Sequence, residues 1–200
     1  MARPRVHDAA LRRRLLEVTS QVVSTVGAGG VTVREVARLA DTSPSAVYAL
    51  FGSREALLAE VTEEGFRRFA AHLAAVGTTD DPGADLLALG EAYRRSALAD
   101  PHFYRAMFER SPARQTPAAE RDTFVTLRDA VARLLGSRGA DGADGADGAE
   151  GDADEIALGL WAQVHGLVAL ELVGLQPGSP DERADRYTRV LRAAGRGAFG

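Results

Sequence analysis

Apolar residues recur every three or four positions along most of the chain, which is the spacing of one face of an α-helix. The first such stretch covers about 8–26, with leucine or valine at positions 11, 15, 18, 22 and 26. A longer stretch, about 54–76, has an apolar face formed by Leu57, Val61, Phe66, Phe69 and Leu73. No segment shows the alternation of apolar and polar residues that is typical of a half-buried strand. The pattern therefore predicts an all-α protein.

Capping residues and prolines divide this pattern into nine helices. Thr32, with Glu35 three residues later, forms a capping box, and Ser43 followed by Pro44 is a typical helix start. Proline at the first helical position is favourable because its missing N–H has no partner there in any case. The predicted helices cover about 8–26, 32–40, 43–51, 54–76, 81–98, 101–110, 116–135, 154–174 and the chain from 179 onward.

Residues 139–151 differ from the rest of the chain. They read GADGADGADGAEG and include no large apolar side chain. Such a segment buries too little surface to offset the entropy of ordering it, so we expect a flexible loop. Its carboxylates recur every third residue, which does not fit the ligand spacing of an EF-hand, and no calcium site is predicted.

The segment 32–51, TVREVARLADTSPSAVYALF, predicts two short helices joined by a tight turn. Each helix has one apolar face, so both must pack on the first helix and on the long helix that follows. This is a helix-turn-helix arrangement, in which the second helix enters the DNA major groove. We therefore predict a DNA-binding domain over 1–54 that extends into the connecting helix 54–76. A second helical domain would cover 77–200, including the loop 139–151.

Charge is distributed unevenly between these two parts. Residues 1–54 include eight arginines and four acidic residues, a net charge of +4, whereas the remainder has 16 arginines and 24 acidic residues, a net charge of −8. A basic N-terminal part on an acidic body indicates that only the N-terminal part meets a polyanion.

The segment from Leu15 to Leu58 resembles the N-terminal domain of the tetracycline-repressor (TetR) family. The second helix opens with T-V-R-E-V-A, the recognition helix reads S-P-S-A-V-Y-A-L-F, and the connecting helix begins with S-R-E-A-L-L. The spacing of Ser43, Tyr48 and Phe51 is the most specific part of the match. The resemblance implies a repressor that binds a double-stranded operator as a homodimer and responds to a small-molecule inducer.

The resemblance also implies which residues meet DNA. Thr32 and Arg34 would approach the backbone, and Arg54 would hold a phosphate. Ser43, Ser45 and Ala46 would line the groove, and none of them is an arginine or asparagine that could form a bidentate contact with a base. The turn of this chain reads Asp41-Thr42, where the family usually has Gly-Val. The full DNA-binding set is Thr32, Arg34, Thr42, Ser43, Ser45, Ala46, Tyr48, Ala49 and Arg54.

Proteins of this family bind their ligand in the C-terminal domain, and most aromatic residues of this chain follow position 65. The W-x-x-x-H-G run from Trp161 resembles one C-terminal subfamily, and the last two helices would form the dimer interface. For the aromatic residues the alternative is ordinary core packing, and for His165 an interior or interface position. The ligand-binding candidates are Phe66, Phe69, Tyr104, Met107, Phe108, Trp161 and His165.

Other classes of protein find little support in the sequence. There is no cysteine, no G-x-S-x-G or H-E-x-x-H motif and no phosphate-binding loop, and the four histidines lack metal-ligand spacing. We therefore expect no enzyme, catalytic residue, metal or cofactor. The apolar stretch from Ile156 to Leu175 includes Gln163, His165 and Glu171, which makes a membrane span unfavourable. A cytoplasmic repressor released by a small apolar ligand is expected; a ligand-independent regulator or an activator with the same DNA-binding domain is the alternative.

Overall fold

The computed structural model describes the backbone of residues 5–108, 118–139 and 146–199, and the side chains of 8–108, 122–137 and 152–199. Over these ranges the chain forms nine α-helices and no β-strand. The predicted fold class and the predicted number of helices are confirmed. The helices are α1 Arg5–Gly30, α2 Val33–Leu39, α3 Pro44–Phe51, α4 Arg54–Ala74, α5 Pro82–Ala99, α6 Pro101–Phe108, α7 Ala118–Gly139, α8 Ala146–Leu172 and α9 Pro180–Phe199.

Side chains cap the helix starts, as the sequence predicts. The hydroxyl of Thr32 accepts a hydrogen bond from the amide of Glu35 at 3.2 Å. The capping box of α2 is only half formed, because the Glu35 carboxylate accepts from Arg38 at 2.6 Å. At α9 the box is complete: Ser179 Oγ accepts from the amide of Glu182 at 3.2 Å, and Glu182 Oε2 accepts from the amide of Ser179 at 2.7 Å. These bonds satisfy amides that have no partner within the helix.

Several helix boundaries differ from the predicted ones. Helix α1 begins at Arg5 and ends at Gly30, but Gly27 has φ 76° and ψ 161°, so the regular helix ends before Gly27 as expected. Helix α7 ends at Gly139 rather than near 135 and so includes the first residue of the predicted loop. Helix α8 begins at Ala146 rather than near 154, so residues 146–151 of the predicted loop are helical. Adding residues to an existing helix requires less free energy than nucleating one, which favours this extension. Positions 140–145 of the predicted loop lie outside the described residues.

The chain divides into two compact units. The N-terminal unit is Met1–Arg68 with Asp100–Ala119, and the C-terminal unit is Phe69–Ala99 with Glu120–Gly200. This division differs from the predicted boundary near 76/77, because α6 packs on α1 and belongs to the N-terminal unit. Phe103 of α6 is buried in the same core as Leu15 of α1, a long-range contact that helical periodicity cannot reveal.

In the N-terminal unit, α1 packs against α2, α3 and α6. Its core includes the inward faces of the two short helices, formed by Val33, Val36, Ala37, Val47 and Phe51. Arg12 of α1 stacks over the Phe51 ring, 4.8 Å from its centroid, and forms an ion pair with Glu60 of α4. The two short helices are therefore fixed along one side, and their other side faces solvent.

In the C-terminal unit, α5, α8 and α9 pack on one another around a polar cluster. The buried Glu171 carboxylate accepts from Arg94 Nε and Nη2, both at 2.7 Å, and from Arg183 Nε at 3.3 Å. The hydrogen bond from Arg94 is the main cause that lowers the pKa of Glu171. Tyr187 Oη donates to the Gly90 carbonyl at 2.8 Å. Positions on α5, α8 and α9 are thus fixed by directional bonds as well as by apolar packing.

Helix α8 is unusually apolar. Within the described part of the chain, Asp152–Leu172 is one segment long and apolar enough to span a membrane, with a mean hydropathy of 1.2. A single segment of this kind is weak support for a membrane protein, and the ion-paired Glu171 would be unfavourable in hydrocarbon. Leu158 and Leu170 of α8 are 57% and 46% exposed.

Candidate functional site

The turn between α2 and α3 determines how α3 is presented. Ala40 is fully buried at the start of the turn, and the amide of Thr42 donates to the carbonyl of Ala37 at 2.9 Å. Asp41 has φ 52°, the left-handed region that L-residues other than asparagine and aspartate seldom adopt. Ser43 then caps α3 by accepting from the amide of Ala46 at 3.2 Å. Two short helices joined in this way form a helix-turn-helix.

Replacing Asp41 by glycine is expected to raise the free energy of unfolding by up to about 1 kcal/mol, because glycine adopts a positive φ without strain. Asp41→Val should lower it by about 1–2 kcal/mol, since a β-branched side chain is the least tolerant of this conformation. Urea denaturation followed by circular dichroism measures both changes. Thr42→Gly, at a neighbouring residue that lacks a positive φ, is the control and should destabilise. Equal effects of the two glycine variants would contradict the interpretation.

The solvent-facing side of α3 presents Ser45, Tyr48 and Ala49, which lie three and four residues apart and so share one helix face. Tyr48 is 52% exposed. Ser45 Oγ lies 2.9 Å from Ser43 Oγ at the start of the helix. This face therefore presents hydroxyl groups, a phenol and a methyl group, as the sequence predicts.

The remaining DNA-binding candidates flank this face in the chain. Thr32 and Arg34 of the α2 segment are exposed, and Thr42 and Ala46 are partly exposed. All nine candidates are at least partly exposed, although the hydroxyl groups of Thr32 and Ser43 also cap α2 and α3. Arg54 differs from the others because its guanidinium is bound to backbone carbonyls.

Arg54 contacts protein where the resemblance implied a phosphate. Its Nε donates to the carbonyl of Val31 at 2.7 Å, and its Nη2 donates to the carbonyl of Ala28. These carbonyls follow the break of α1 at Gly27, where the regular pattern of helical hydrogen bonds is interrupted. The guanidinium of Arg54 therefore caps carbonyls at the end of α1. Sequence spacing alone does not reveal this role.

A cavity of about 350 Å³ lies in the C-terminal unit. Residues of α5, α7, α8 and α9 form most of its wall, together with Leu73 near the end of α4. Trp161 of α8 lines it and packs against Phe124 of α7, with ring centroids 5.7 Å apart. The volume and the apolar wall are those of a small-molecule site.

Trp161 is the member of the predicted ligand-binding set that lines this cavity. Four others, Phe66, Tyr104, Met107 and Phe108, belong to the N-terminal unit and do not line it. The three aromatic rings pack edge to face: Phe108 lies 5.9 Å from Phe66 and 5.0 Å from Tyr104 between centroids. Phe66, Tyr104 and Met107 are buried and Phe108 is partly buried, which fits core packing, the alternative that the sequence left open for aromatic residues.

Phe69 and His165 lie in the C-terminal unit, behind the cavity wall. Phe69 packs edge to face on Tyr93 at 4.8 Å between centroids, and Tyr93 Oη lies 3.2 Å from His165 Nδ1. Tyr93 itself lines the cavity. Burial lowers the pKa of His165, so its imidazole is neutral near neutral pH. His165 therefore orients a residue of the wall and does not itself line the cavity.

Sequence reasoning missed most of the cavity wall, including Leu86, Leu127, Arg192 and Arg196. The aliphatic residues have no chemical signature that separates them from core. The two arginines lie four residues apart on α9, a spacing that places them on one helix face. No group of three or more histidine, cysteine or acidic residues suited to a metal occurs in the described part of the chain.

The exposed face of α3, next to a tight turn and to a partner helix whose inner face is buried, defines the class of helix-turn-helix DNA-binding regulators. Comparison with protein families agrees. The family described as "Bacterial regulatory proteins, tetR family" matches residues 15–61, and "Tetracyclin repressor-like, C-terminal domain" matches residues 86–194. The chain belongs to the TetR family of transcriptional regulators. Members of this family bind DNA and typically form homodimers.

Solved structures of similar proteins cover nearly the whole chain. A Rhodococcus sp. RHA1 protein of unknown function is 28% identical, with a TM-score of 0.69 and 94% of each chain covered. A regulatory protein designated SCO4313 is 26% identical, with a TM-score of 0.71, covering 96% of this chain and 98% of its own. A TetR-like transcriptional regulator from Rhodococcus sp. RHA1, 19% identical, shares the fold over 100% of both chains with a TM-score of 0.76. No curated protein matches the sequence.

Proposed function

We propose that this regulator represses transcription as a cytoplasmic homodimer on a pseudo-palindromic operator, and that a small ligand in the cavity of the C-terminal unit releases it. The exposed face of α3, which follows the turn and is capped by Ser43, is the observation that supports the proposed DNA binding. The cavity is the observation that supports the proposed release by a ligand.

Helix α3 would enter the major groove with its N-terminus toward the DNA. Free amides and the positive end of the helix dipole favour a phosphate there. Ser45 and Tyr48 would contact base edges or backbone, and the methyl group of Ala49 would contact a thymine methyl. Thr32, Arg34 and Ser43 would position the helix on the backbone, and these contacts hold the register without reading sequence.

Footprinting of the purified protein on DNA upstream of its own gene tests this proposal. A two-fold dimer has two recognition helices, so the protected region should include an inverted repeat with half-sites about one helical turn, roughly 34 Å, apart. In vitro transcription from the same DNA then separates repression from activation. Protection of a single half-site, or of no site, would contradict dimeric operator binding.

Arg34→Ala is expected to weaken operator binding and to flatten its salt dependence. Each lost phosphate contact changes the slope of log K against log salt by about 0.9, so a dimer should lose about two units. Fluorescence anisotropy at several salt concentrations measures the slope. The matched control is Arg38→Ala on the same helix, because Arg38 is paired with Glu35 at 2.6 Å and is outside the proposed contact set. A slope that changes equally in both variants would show a general charge effect.

Dimerisation is proposed to involve the apolar surface of α8 and of the residues that follow it. Leu158, Leu170, Val173 and Leu175 are among the exposed large apolar residues of the described chain, and Leu175 is 70% exposed. A second copy packed on this surface would remove it from water, which is the main driving force for association.

Release by a ligand requires that the ligand bind more tightly to free protein than to operator-bound protein. Helix α4 contributes residues to both units, since the unit boundary falls between Arg68 and Phe69. Titration of a bound compound with and without operator measures the coupling. Equal affinity in both titrations would contradict ligand release and favour a ligand-independent regulator.

A further inference from the structure

The cavity of the C-terminal unit has a strongly asymmetric wall. Most of its lining is aliphatic or aromatic, and it includes Leu86, Leu127, Trp161 and Val164. No acidic residue lines it among the side chains that the structure describes. The charged groups in this described part of the lining are two arginines from α9, Arg192 and Arg196.

These two arginines are accessible to a ligand. Both side chains are exposed although both line the cavity, so they lie at its solvent side. They lie four positions apart, which places them on one face of α9. Among the side chains that the structure describes, neither has an ion-pair partner, whereas Arg94 and Arg133 of the same unit pair with Glu171 and Asp85.

The other polar side chains of the wall have partners of their own. Thr126 Oγ1 donates to the carbonyl of Asp122 at 2.9 Å, and Tyr93 Oη lies 3.2 Å from His165 Nδ1. Thr123 is buried and has a partner as well. The charged donors in the described wall are therefore the two guanidinium groups, and guanidinium groups bind carboxylate and phosphate oxygens in a bidentate manner.

We propose that the effector of this regulator is an amphipathic anion, whose apolar body fills the cavity and whose single anionic head binds Arg192 and Arg196. This proposal rests on the ligand-release function and narrows it from a small apolar ligand to a chemical class. A water-sized group occupies about 30 Å³, so the cavity accommodates roughly a dozen non-hydrogen atoms. Decanoate has this size, and decyl phosphate tests whether the site distinguishes a phosphate from a carboxylate head.

The test compares decanoate, decyl phosphate, decanol and decylamine by calorimetry on the full-length protein. The anions should bind at least about tenfold more tightly than decanol, because charge-assisted hydrogen bonds form only with them. Decylamine should bind most weakly, since its charge faces two guanidinium groups. Trp161 is the single tryptophan of the chain and lines the cavity, so its fluorescence should change on binding. Equal affinity for decanoate and decanol would overturn the proposal.

Variants identify the site. The double substitution Arg192→Gln and Arg196→Gln should remove the preference for the anion and leave decanol binding unchanged. Arg189→Gln is the matched control, because Arg189 is an exposed arginine of α9 that does not line the cavity. If Arg189→Gln loses the preference for the anion over decanol as fully as the double variant does, the preference reflects long-range charge. That result would overturn the proposed anion site at Arg192 and Arg196.

A second pair of variants tests whether the apolar body occupies the cavity. Leu127→Trp should reduce the affinity for decanoate and for decanol alike, whereas Val125→Trp, on the same helix but outside the cavity wall, should leave both unchanged. Circular dichroism checks the folding of each variant. If Leu127→Trp does not fold, the Trp161 fluorescence of the wild type tests the same point. An emission that does not change on anion binding would show that the apolar body does not occupy the cavity.

Operator release is measured separately, so that the two proposals fail in different ways. Tight decanoate binding without operator release supports the anion site and contradicts ligand release. Release by a neutral compound, with no preference for decanoate, supports ligand release and overturns the anion site.

Discussion

Arg54→Ala is expected to lower the free energy of unfolding by about 3 kcal/mol, because hydrogen bonds to a charged group contribute about 1.5–3 kcal/mol each. The substitution removes the guanidinium from the carbonyls of Ala28 and Val31. Both carbonyls follow the break in α1 at Gly27, and the Ala28 carbonyl also accepts a long hydrogen bond, 3.4 Å, from the amide of Val31. Urea denaturation followed by circular dichroism measures the change. Arg54→Lys should give an intermediate value, since an ammonium group cannot reach both carbonyls in the fork geometry.

The same variant separates the structural role of Arg54 from a phosphate contact. If the guanidinium serves the end of α1, folded Arg54→Ala protein should bind operator with an unchanged salt slope. If it holds a phosphate, the slope should fall by about 0.9 per subunit and stability should change little. Arg38→Ala is the control for stability, because Arg38 is an exposed arginine of the same unit. If the salt slope falls and the free energy of unfolding does not change, Arg54 contacts a phosphate, as the family resemblance implied.

Leu170→Glu is expected to weaken dimerisation by roughly 100-fold or more. Two-fold symmetry places the substitution in the interface twice, and losing two buried leucines contributes about 3 kcal/mol or more. The new carboxylates would also be desolvated without a partner, which adds to the loss. Analytical ultracentrifugation measures the dissociation constant. Operator affinity should fall with it, because a monomer presents one recognition helix.

Val125→Glu provides the matched control for this substitution. Val125 is 36% exposed on α7 and is not one of the proposed interface residues, so the same substitution by glutamate should leave the dimer intact. A dimer with wild-type affinity in Leu170→Glu would place the interface elsewhere. Unfolding of either variant is detected by circular dichroism before the sedimentation experiment.

The helices and most of their starts could be predicted from local sequence. The hydroxyl groups of Thr32 and Ser43 accept the amide hydrogen bonds expected of capping residues. Such bonds join residues within one turn, and the periodicity that predicts a helix also spans only a few residues. The inward faces of α2 and α3 were predicted for the same reason, since Val36 and Val47 are both buried.

The cavity and the role of Arg54 could not be predicted in this way. Periodicity assigns a side chain to a buried face but does not identify its neighbour. Phe66 and Trp161 both read as candidates for a ligand site, yet Phe66 packs on Phe108 and Trp161 lines the cavity. Likewise, whether Arg54 binds backbone carbonyls depends on where the end of α1 lies in space. Val31, which follows that end, is 23 residues away from Arg54 in the chain.

The sequence by itself determined the all-α class, the number of helices in the described chain and the helix-turn-helix with its exposed recognition face, because these follow from spacing, caps and charge within short segments. The tertiary structure alone decided that α6 joins the N-terminal unit, that Arg54 caps α1 and that Arg192 and Arg196 meet an apolar cavity. These features depend on contacts between residues distant in the chain. Their physical cause is the packing of whole helices, which local preferences do not fix.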